Sequence, residues 1–150
     1  MASLITNKGK AHLLAKMRGV AAPTNYYVAL ITNAVVPDAD TNTLGQLTEI
    51  AAGNGYTAGG YQLTPNASDF DSLVENDTDD RGELQVKDVA WTASGGSIPA
   101  SGDPASFAVL TDDNATLANR EVYVVLDLQG TRTVQDGYPL TLQNCEIRAT

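Results

Sequence analysis

Only one stretch of this chain has the periodicity of an α-helix, and it lies within the first twenty residues. After it, about six short β-rich segments follow one another at spacings of roughly 8–15 residues, with Gly, Pro, Asn and Asp between them. Alternation of strands with helices, as in an α/β fold, is missing. The pattern therefore predicts a mainly β protein: a jelly-roll-like β-sandwich with one N-terminal amphipathic α-helix and long loops.

The predicted helix begins after Thr6, which can cap it, and runs to about Arg18. Because a three-turn helix is not stable alone, we expect its apolar stripe to cover a sheet or a neighbouring subunit. We assign residues 1–22 to a basic N-terminal helix or arm and residues 23–150 to a single β-sandwich domain. The stripe consists of Leu13, Leu14, Met17 and Val20.

The segment Tyr26–Thr32 is apolar at both odd and even positions, which predicts a central strand buried on both faces. Residues 33–46 and 64–82 are rich in Asp, Asn and Pro and are predicted to be long polar loops. A parity shift near Lys87 and Asp88 suggests a β-bulge. The other predicted strands are Tyr61–Leu63, Glu83–Thr92, Ala105–Leu110, Glu121–Leu128 and Leu140–Arg148.

The residues that most enzymes use are scarce in this chain. His12 is the only histidine and Cys145 the only cysteine, whereas serine, cysteine and zinc catalysis usually need a histidine as base or ligand. We predict that His12 is a half-exposed surface residue, that Cys145 is a buried, inert thiol and that Trp91 fills the core. The sequence therefore predicts no enzymatic activity, no cofactor and no metal site.

Two segments imitate known ligand motifs. Residues 53–58 resemble a truncated dinucleotide fingerprint, but a predicted strand follows where that motif needs a helix, so we reject it. The run from Asp77 to Gly82 begins like a calcium loop, but Arg81 stands at its fifth position, where an acid or Asn is needed. A solvated acidic loop is the plainer interpretation, and calcium bridging by Asp77, Asp79 and Asp80 outside that motif stays open.

Charge is unevenly distributed along the chain. The first 37 residues carry four basic residues and no acid, whereas the remainder carries a net charge of −13. Because the residues after position 37 are this acidic, they repel the phosphate backbone of a nucleic acid, which argues against nucleic-acid binding. No segment reaches the ~20 apolar residues of a membrane helix, and the N-terminus is too polar for a signal sequence. We therefore expect a protein that is made in a cytoplasm and binds no membrane.

Between Leu47 and Leu63 the chain reads LTEIAAGNGYTAGGYQL, which follows the apolar run YYVALIT. Glu49 is the only acid of this Gly–Tyr segment. Glycine permits positive φ and close approach of backbones, so we expect an ordered bend that leads into a strand. Gly55 and Gly60 are predicted to occupy positions where a β-carbon would cause strain.

This arrangement of buried strand, polar loop, LTE sequence, Gly–Tyr bend and short strand resembles a family of small tailed-bacteriophage virion proteins of the capsid decoration, or cement, type. The likeness continues in residues 109–148 and is weakest across residues 65–97. It implies a structural protein of the capsid exterior whose partners are the major capsid protein and further copies of itself, as a dimer or trimer. From composition and expected exposure, the candidate contact residues are Lys8, Lys10, Leu14, Arg18, Asp38 and Tyr56.

Two other interpretations stay open. A tail, fibre or baseplate component would use a similar module, at a much lower copy number per virion. A carbohydrate-binding module is the second, because jelly rolls often bind glycans.

Overall fold

The computed structural model describes residues 1–150, and its secondary structure is mainly β with one α-helix, as predicted. All strand pairs are antiparallel. At eleven residues, the helix α1 (Asn7–Met17) is too short to cross a bilayer, and no longer helix is present. The strands are β1 (Ala2–Ile5), β2 (Tyr26–Ile31), β3 (Tyr61–Leu63), β4 (Ser72–Asn76), β5 (Arg81–Val86), β6 (Val89–Thr92), β7 (Ala105–Thr111), β8 (Val122–Arg132), β9 (Pro139–Leu142) and β10 (Cys145–Ala149).

The strands form three sheets. The largest has the order β1-β8-β7-β2-β3, the second has the order β10-β5-β4, and β6 pairs with β9 in a third. The main core is a cluster of 20 buried residues contributed by all three sheets. Trp91 lies in this cluster, which confirms its prediction as core filler. A smaller cluster lies on the other face of the five-stranded sheet.

Strand β2 is buried on both faces, as predicted from its sequence. Val28 and Leu30 lie in the main cluster, whereas Ala29 and Ile31 lie in the smaller one. The alternation of side chains along a strand sends neighbouring residues to opposite faces, so a strand between two apolar layers has to be apolar throughout.

Helix α1 begins and ends where the sequence predicts. The Thr6 hydroxyl accepts a hydrogen bond from the Gly9 amide at 3.0 Å and donates one to the Val122 carbonyl at 2.6 Å, which fixes the start of the helix on β8. The apolar stripe of α1, predicted to cover a sheet or a neighbouring subunit, does not cover a sheet of this chain. Leu14 and Met17 are 62% and 85% exposed, because the helix faces β8 with its smaller and polar residues instead.

The predicted N-terminal arm contains a strand that the sequence analysis missed. Strand β1 pairs with β8 along its whole length, from Ala2 opposite Asp127 to Ile5 opposite Val124. Residues 1–22 therefore contribute an edge strand to the five-stranded sheet as well as a helix beside it.

Three predicted segments are divided differently in the structure. The predicted loop 64–82 contains β4, whose two apolar residues are both exposed and so give no burial pattern. The segments Glu83–Thr92 and Leu140–Arg148 each form two strands that belong to different sheets. The parity shift at Lys87 and Asp88 thus marks the point where the chain leaves one sheet for another, rather than a bulge within one strand.

Candidate functional site

An open apolar groove of about 500 Å³ lies between α1 and the sheet β10-β5-β4. Its floor includes Tyr26 and Tyr123. On the sheet side, the wall is a row of three apolar side chains directly opposite one another on adjacent strands, namely Leu73, Leu84 and Ile147. Its volume lies within the range of ligand-binding clefts, which are mostly apolar.

Helix α1 and its C-cap are basic, and Lys16 is the charged residue of the helix that lines the groove. Leu13 of α1 lines the groove, and Leu14 and Met17 continue the apolar surface onto the outer face of the helix. The helix and its C-cap carry no acidic residue. Their lysines and arginine are Lys8, Lys10, Lys16 and Arg18.

Acidic residues flank Leu73 along the chain. Leu73 is 80% exposed at the edge strand β4, and period-two alternation places Asp71 and Glu75 on the same face as Leu73. Both acids are exposed, and neither takes part in an ion pair. Neither of these acids lines the groove, whose one charged lining residue is Lys16.

Polar contacts beneath the groove attach α1 to β8. His12 is half-buried, its Nε2 lies 2.8 Å from the Tyr26 hydroxyl, and its ring stacks on that of Tyr123 with a centroid separation of 4.2 Å. Burial and the charge of Lys16 lower the pKa of His12. Lys8 donates to Glu121 at 2.9 Å, and this hydrogen bond holds the pKa of the Glu121 carboxyl below its usual value. The half-exposed position predicted for His12 is confirmed, and its contacts are packing contacts.

The prediction of Tyr56 as a surface contact is wrong, because Tyr56 is only 2% exposed. Its hydroxyl accepts a hydrogen bond from the Leu30 amide at 2.9 Å and donates one to Glu49 at 2.6 Å. The Gly59 amide also donates to Glu49, at 2.7 Å. Burial raises the pKa of Glu49 above its ordinary value, against the opposing effect of these hydrogen bonds. The Gly–Tyr segment thus turns its tyrosine inward and bonds it to β2.

The strained glycines predicted in this segment are confirmed. Gly55 and Gly60 have φ of 104° and 84°, and a β-carbon at either position would overlap the backbone, at Thr92 and Val28 respectively. Only glycine combines this backbone conformation with so close an approach.

Arg120 is a buried charged residue that the sequence analysis did not identify. It is only 8% exposed, and its guanidinium lies 3.9 Å above the Tyr27 ring centroid and donates to the Gly59 carbonyl at 3.1 Å. Its positive charge also favours the ionised form of Glu49. The sequence signal was weak, since an arginine just before a strand is usually exposed. Its contacts hold the Gly–Tyr segment against β2.

The loop 33–46 lies beside the start of α1. The Asn7 amide donates to the Ala39 carbonyl at 2.8 Å, and the Asn7 side chain donates to Asp40 at 2.8 Å. Asp38 is exposed and accepts a hydrogen bond from the Asp40 amide at 2.9 Å. Asp38 is therefore close in space to the N-terminal end of α1, whereas Tyr56 lies in the core.

Two exposed valines occupy the same loop. Val35 and Val36 are 46% and 65% exposed, and Pro37, which follows them, is buried. Hydrogen bonds on the C-terminal side of Pro37 hold the loop in place, so the two valines are presented from an ordered segment.

Two further titratable side chains are buried or paired within the chain. Cys145 is 2% exposed, and burial raises the pKa of its thiol to about 11, which confirms the prediction of an inert thiol. In the acidic turn, Asp79 forms an ion pair with Arg81 at 3.0 Å. The structure contains no group of three or more His, Cys, Asp or Glu side chains arranged to hold a metal ion.

Comparison of the chain with protein-family models, curated proteins and solved structures gives no match.

Proposed function

We propose that this chain is a structural virion protein that decorates the exterior of a tailed-phage capsid and stabilises the shell by binding the major capsid protein. The resemblance of residues 25–63 and 109–148 to capsid decoration proteins supports this proposal. We also propose that the β domain is a jelly-roll-like sandwich, an arrangement supported by the main core cluster, to which all three sheets contribute.

The observation that carries the proposal is the exposed valine pair of the loop 33–46. Val35 and Val36 have no partner within the chain that buries them, yet hydrogen bonds to Asn7 hold the loop. Burying a valine side chain in a partner contributes about 1.5–3 kcal/mol. Capsid symmetry repeats each such contact in every copy, so a modest contact per subunit adds up to a large stabilisation of the shell.

The four basic or apolar α1 candidates, with Asp38, complete the proposed contact surface. All five are exposed or half-buried, and the loop and the helix adjoin at Asn7. Tyr56 is left out because it is buried. The five residues are Lys8, Lys10, Leu14, Arg18 and Asp38.

The alternatives have less support. A tail, fibre or baseplate subunit would use the same exposed residues, and counting copies per virion separates it from a shell protein. A carbohydrate-binding module needs a set of exposed aromatic rings for sugar stacking, whereas Trp91 and Tyr56 are buried and Tyr138 is the one aromatic residue among the exposed large side chains. No specific observation favours either alternative.

Substituting Val36→Asp tests the proposal. The variant should bind heads of the encoding phage, stripped of this protein, at least about tenfold more weakly in a co-sedimentation assay, because it replaces a buried apolar contact with a charge. Tyr138 is as exposed as Val36, at 65%, but lies in a different turn, so Tyr138→Asp is the matched control and should bind normally. Equal binding by both variants and the wild type would contradict the role of the loop. Absence of wild-type binding would overturn the proposed function itself.

A further inference from the structure

The groove between α1 and the sheet β10-β5-β4 combines aromatic rings with an aliphatic wall. The rings of Tyr26 and Phe70 both line the groove and meet edge to face, with a centroid separation of 5.7 Å. The aliphatic wall consists of Leu73, Leu84 and Ile147. A groove of about 500 Å³ with this lining has the size and character of a small-molecule site, which is mostly apolar with a few polar groups.

The one charged residue that lines the groove is positive. Lys16 forms no ion pair with a carboxylate of the chain. Its ammonium donates to the carbonyls of Val20 and Ala21, at 3.1 and 2.5 Å. An ammonium has three N–H donors, so one is left for an anionic ligand. Burial and the charge of Lys16 lower the pKa of His12, so the imidazole is neutral at pH 7 and Lys16 is the only charge.

Polar side chains of the groove floor already have partners within the chain. His12 Nε2 and the Tyr26 hydroxyl lie 2.8 Å apart, and the Tyr123 hydroxyl donates to Glu121 at 3.3 Å. A peptide would bring an amide group with every residue, and a buried amide without a hydrogen-bond partner is costly. The lining therefore favours a ligand whose body has no amide groups, such as an alkyl chain.

We propose that the groove binds a medium-chain alkyl carboxylate such as decanoate, with its chain on the aliphatic wall and its carboxylate at Lys16. The alkyl chain removes the apolar side chains of the wall from water, and the carboxylate accepts a charge-assisted hydrogen bond from the ammonium. This inference does not rest on the proposed function. None of the lining residues belongs to the proposed capsid contact surface, and binding is measured with purified protein and without shells.

Chain length tests the apolar part of the site. Isothermal titration calorimetry at pH 7 with octanoate, decanoate and dodecanoate, each below its critical micelle concentration, should show one saturable site per chain. Each buried methylene group tightens binding about fourfold, so two more methylenes should tighten it about fifteenfold. The neutral alcohol 1-decanol should bind the same site more weakly than decanoate, because it lacks the charge.

Leu73→Asp tests the location of the site. Leu73 is 80% exposed, so the variant should fold, as followed by circular dichroism. A charge on the aliphatic wall should weaken the binding of both decanoate and 1-decanol at least about tenfold. Val74 follows on the opposite face of β4 and does not line the groove, so Val74→Asp is the matched control and should bind both ligands like the wild type.

Lys16→Gln tests the charge of the site. It should weaken decanoate about fivefold, as expected for a partly exposed ion pair, and leave 1-decanol unchanged. Lys16→Arg keeps the charge and should retain decanoate binding. Arg132→Gln removes a positive charge from an exposed residue outside the groove and should change neither ligand. An equal loss of both ligands in Lys16→Gln would overturn the assignment of a carboxylate.

Three other results would overturn the proposal. The first is the absence of saturable binding for all three carboxylates, and a dimer in sedimentation equilibrium would then assign the groove to a second copy of the chain. The second is an affinity that does not change with chain length, because the alkyl chain would then not be buried. The third is equal weakening by Leu73→Asp and Val74→Asp, which would place the ligand outside the groove.

Discussion

The hydroxyl of Tyr56 connects two parts of the core. It accepts a hydrogen bond from the Leu30 amide of β2 and donates one to Glu49, which also accepts from the Gly59 amide. At the scale of single residues, Tyr56 is the side chain that most clearly determines the path of a loop, that of the Gly–Tyr segment. The bond from the Leu30 amide satisfies a backbone donor deep in the core.

Replacing Tyr56 with Phe should lower the free energy of unfolding by about 1–3 kcal/mol, because it leaves the buried Leu30 amide without an acceptor. The effect is measurable as a lower midpoint in urea denaturation. Tyr138→Phe removes the same hydroxyl from a side chain that is 65% exposed, and should change stability by less than about 0.5 kcal/mol. A Tyr56→Phe protein as stable as the wild type would show that water can replace the hydroxyl.

At the scale of elements, the packing of α1 on β8 depends on one residue. Gly9 is the one fully buried residue of the helix, and a β-carbon there would overlap the carbonyl oxygen of Tyr123. The absence of a side chain lets the helix come close enough for His12 to stack on Tyr123. The same close approach leaves the larger apolar residues of α1 on its outer face.

Gly9→Ala should destabilise the protein although alanine favours helix formation by about 1 kcal/mol over glycine. The added β-carbon forces α1 away from β8, at a cost of about 1–3 kcal/mol that outweighs the gain. We expect the melting temperature to fall by a few degrees, followed by circular dichroism. Lys10→Ala, one residue further along and exposed, is the control and should not lower it. A rise in melting temperature for Gly9→Ala would mean that the helix position is not fixed by this contact.

Deleting residues 1–22 is a poorer experiment than these substitutions. The deletion removes β1 from the edge of the five-stranded sheet, together with the Thr6 hydrogen bond to Val122, and so changes stability as well as any surface contact.

At the scale of the whole molecule, acidic residues outnumber basic ones by 18 to 9. The four basic residues of α1 and its C-cap face an otherwise acidic protein, with one of them, Lys8, in an ion pair to Glu121. A net charge of this size destabilises the folded state through self-repulsion and keeps copies apart at low salt.

Raising the sodium chloride concentration from 0.01 to 0.15 M at pH 7 should therefore raise the melting temperature of the monomer by a few degrees. The Debye length falls from about 30 Å to about 8 Å over this range, which screens repulsion across the molecule. Near pH 4.3, the isoelectric point expected from the sequence, the same change in salt should have little effect. An equal rise at both pH values would point to specific ion binding instead.

Local patterns in the sequence were enough to predict the elements whose structure depends on residues close together in the chain. The uniformly apolar residues of β2, the Thr6 cap of α1 and the glycines at 55 and 60 each follow from chemistry within a few residues, and the structure confirms all of them. The mainly β class follows in the same way from the spacing of turns.

Only the tertiary structure decided which faces are buried and which residues meet. Strand β4 and the outer face of α1 carry apolar residues that no other part of the chain covers. Hydrophobic periodicity therefore missed β4 as a strand and predicted a covered stripe on α1 that this chain leaves exposed. Tyr56 and Arg120 are buried because contacts with Leu30, Glu49, Gly59 and Tyr27, distant in sequence, compensate their polar groups. The groove exists because the fold places β4 opposite α1, some sixty residues apart along the chain, and no local pattern encodes that distance.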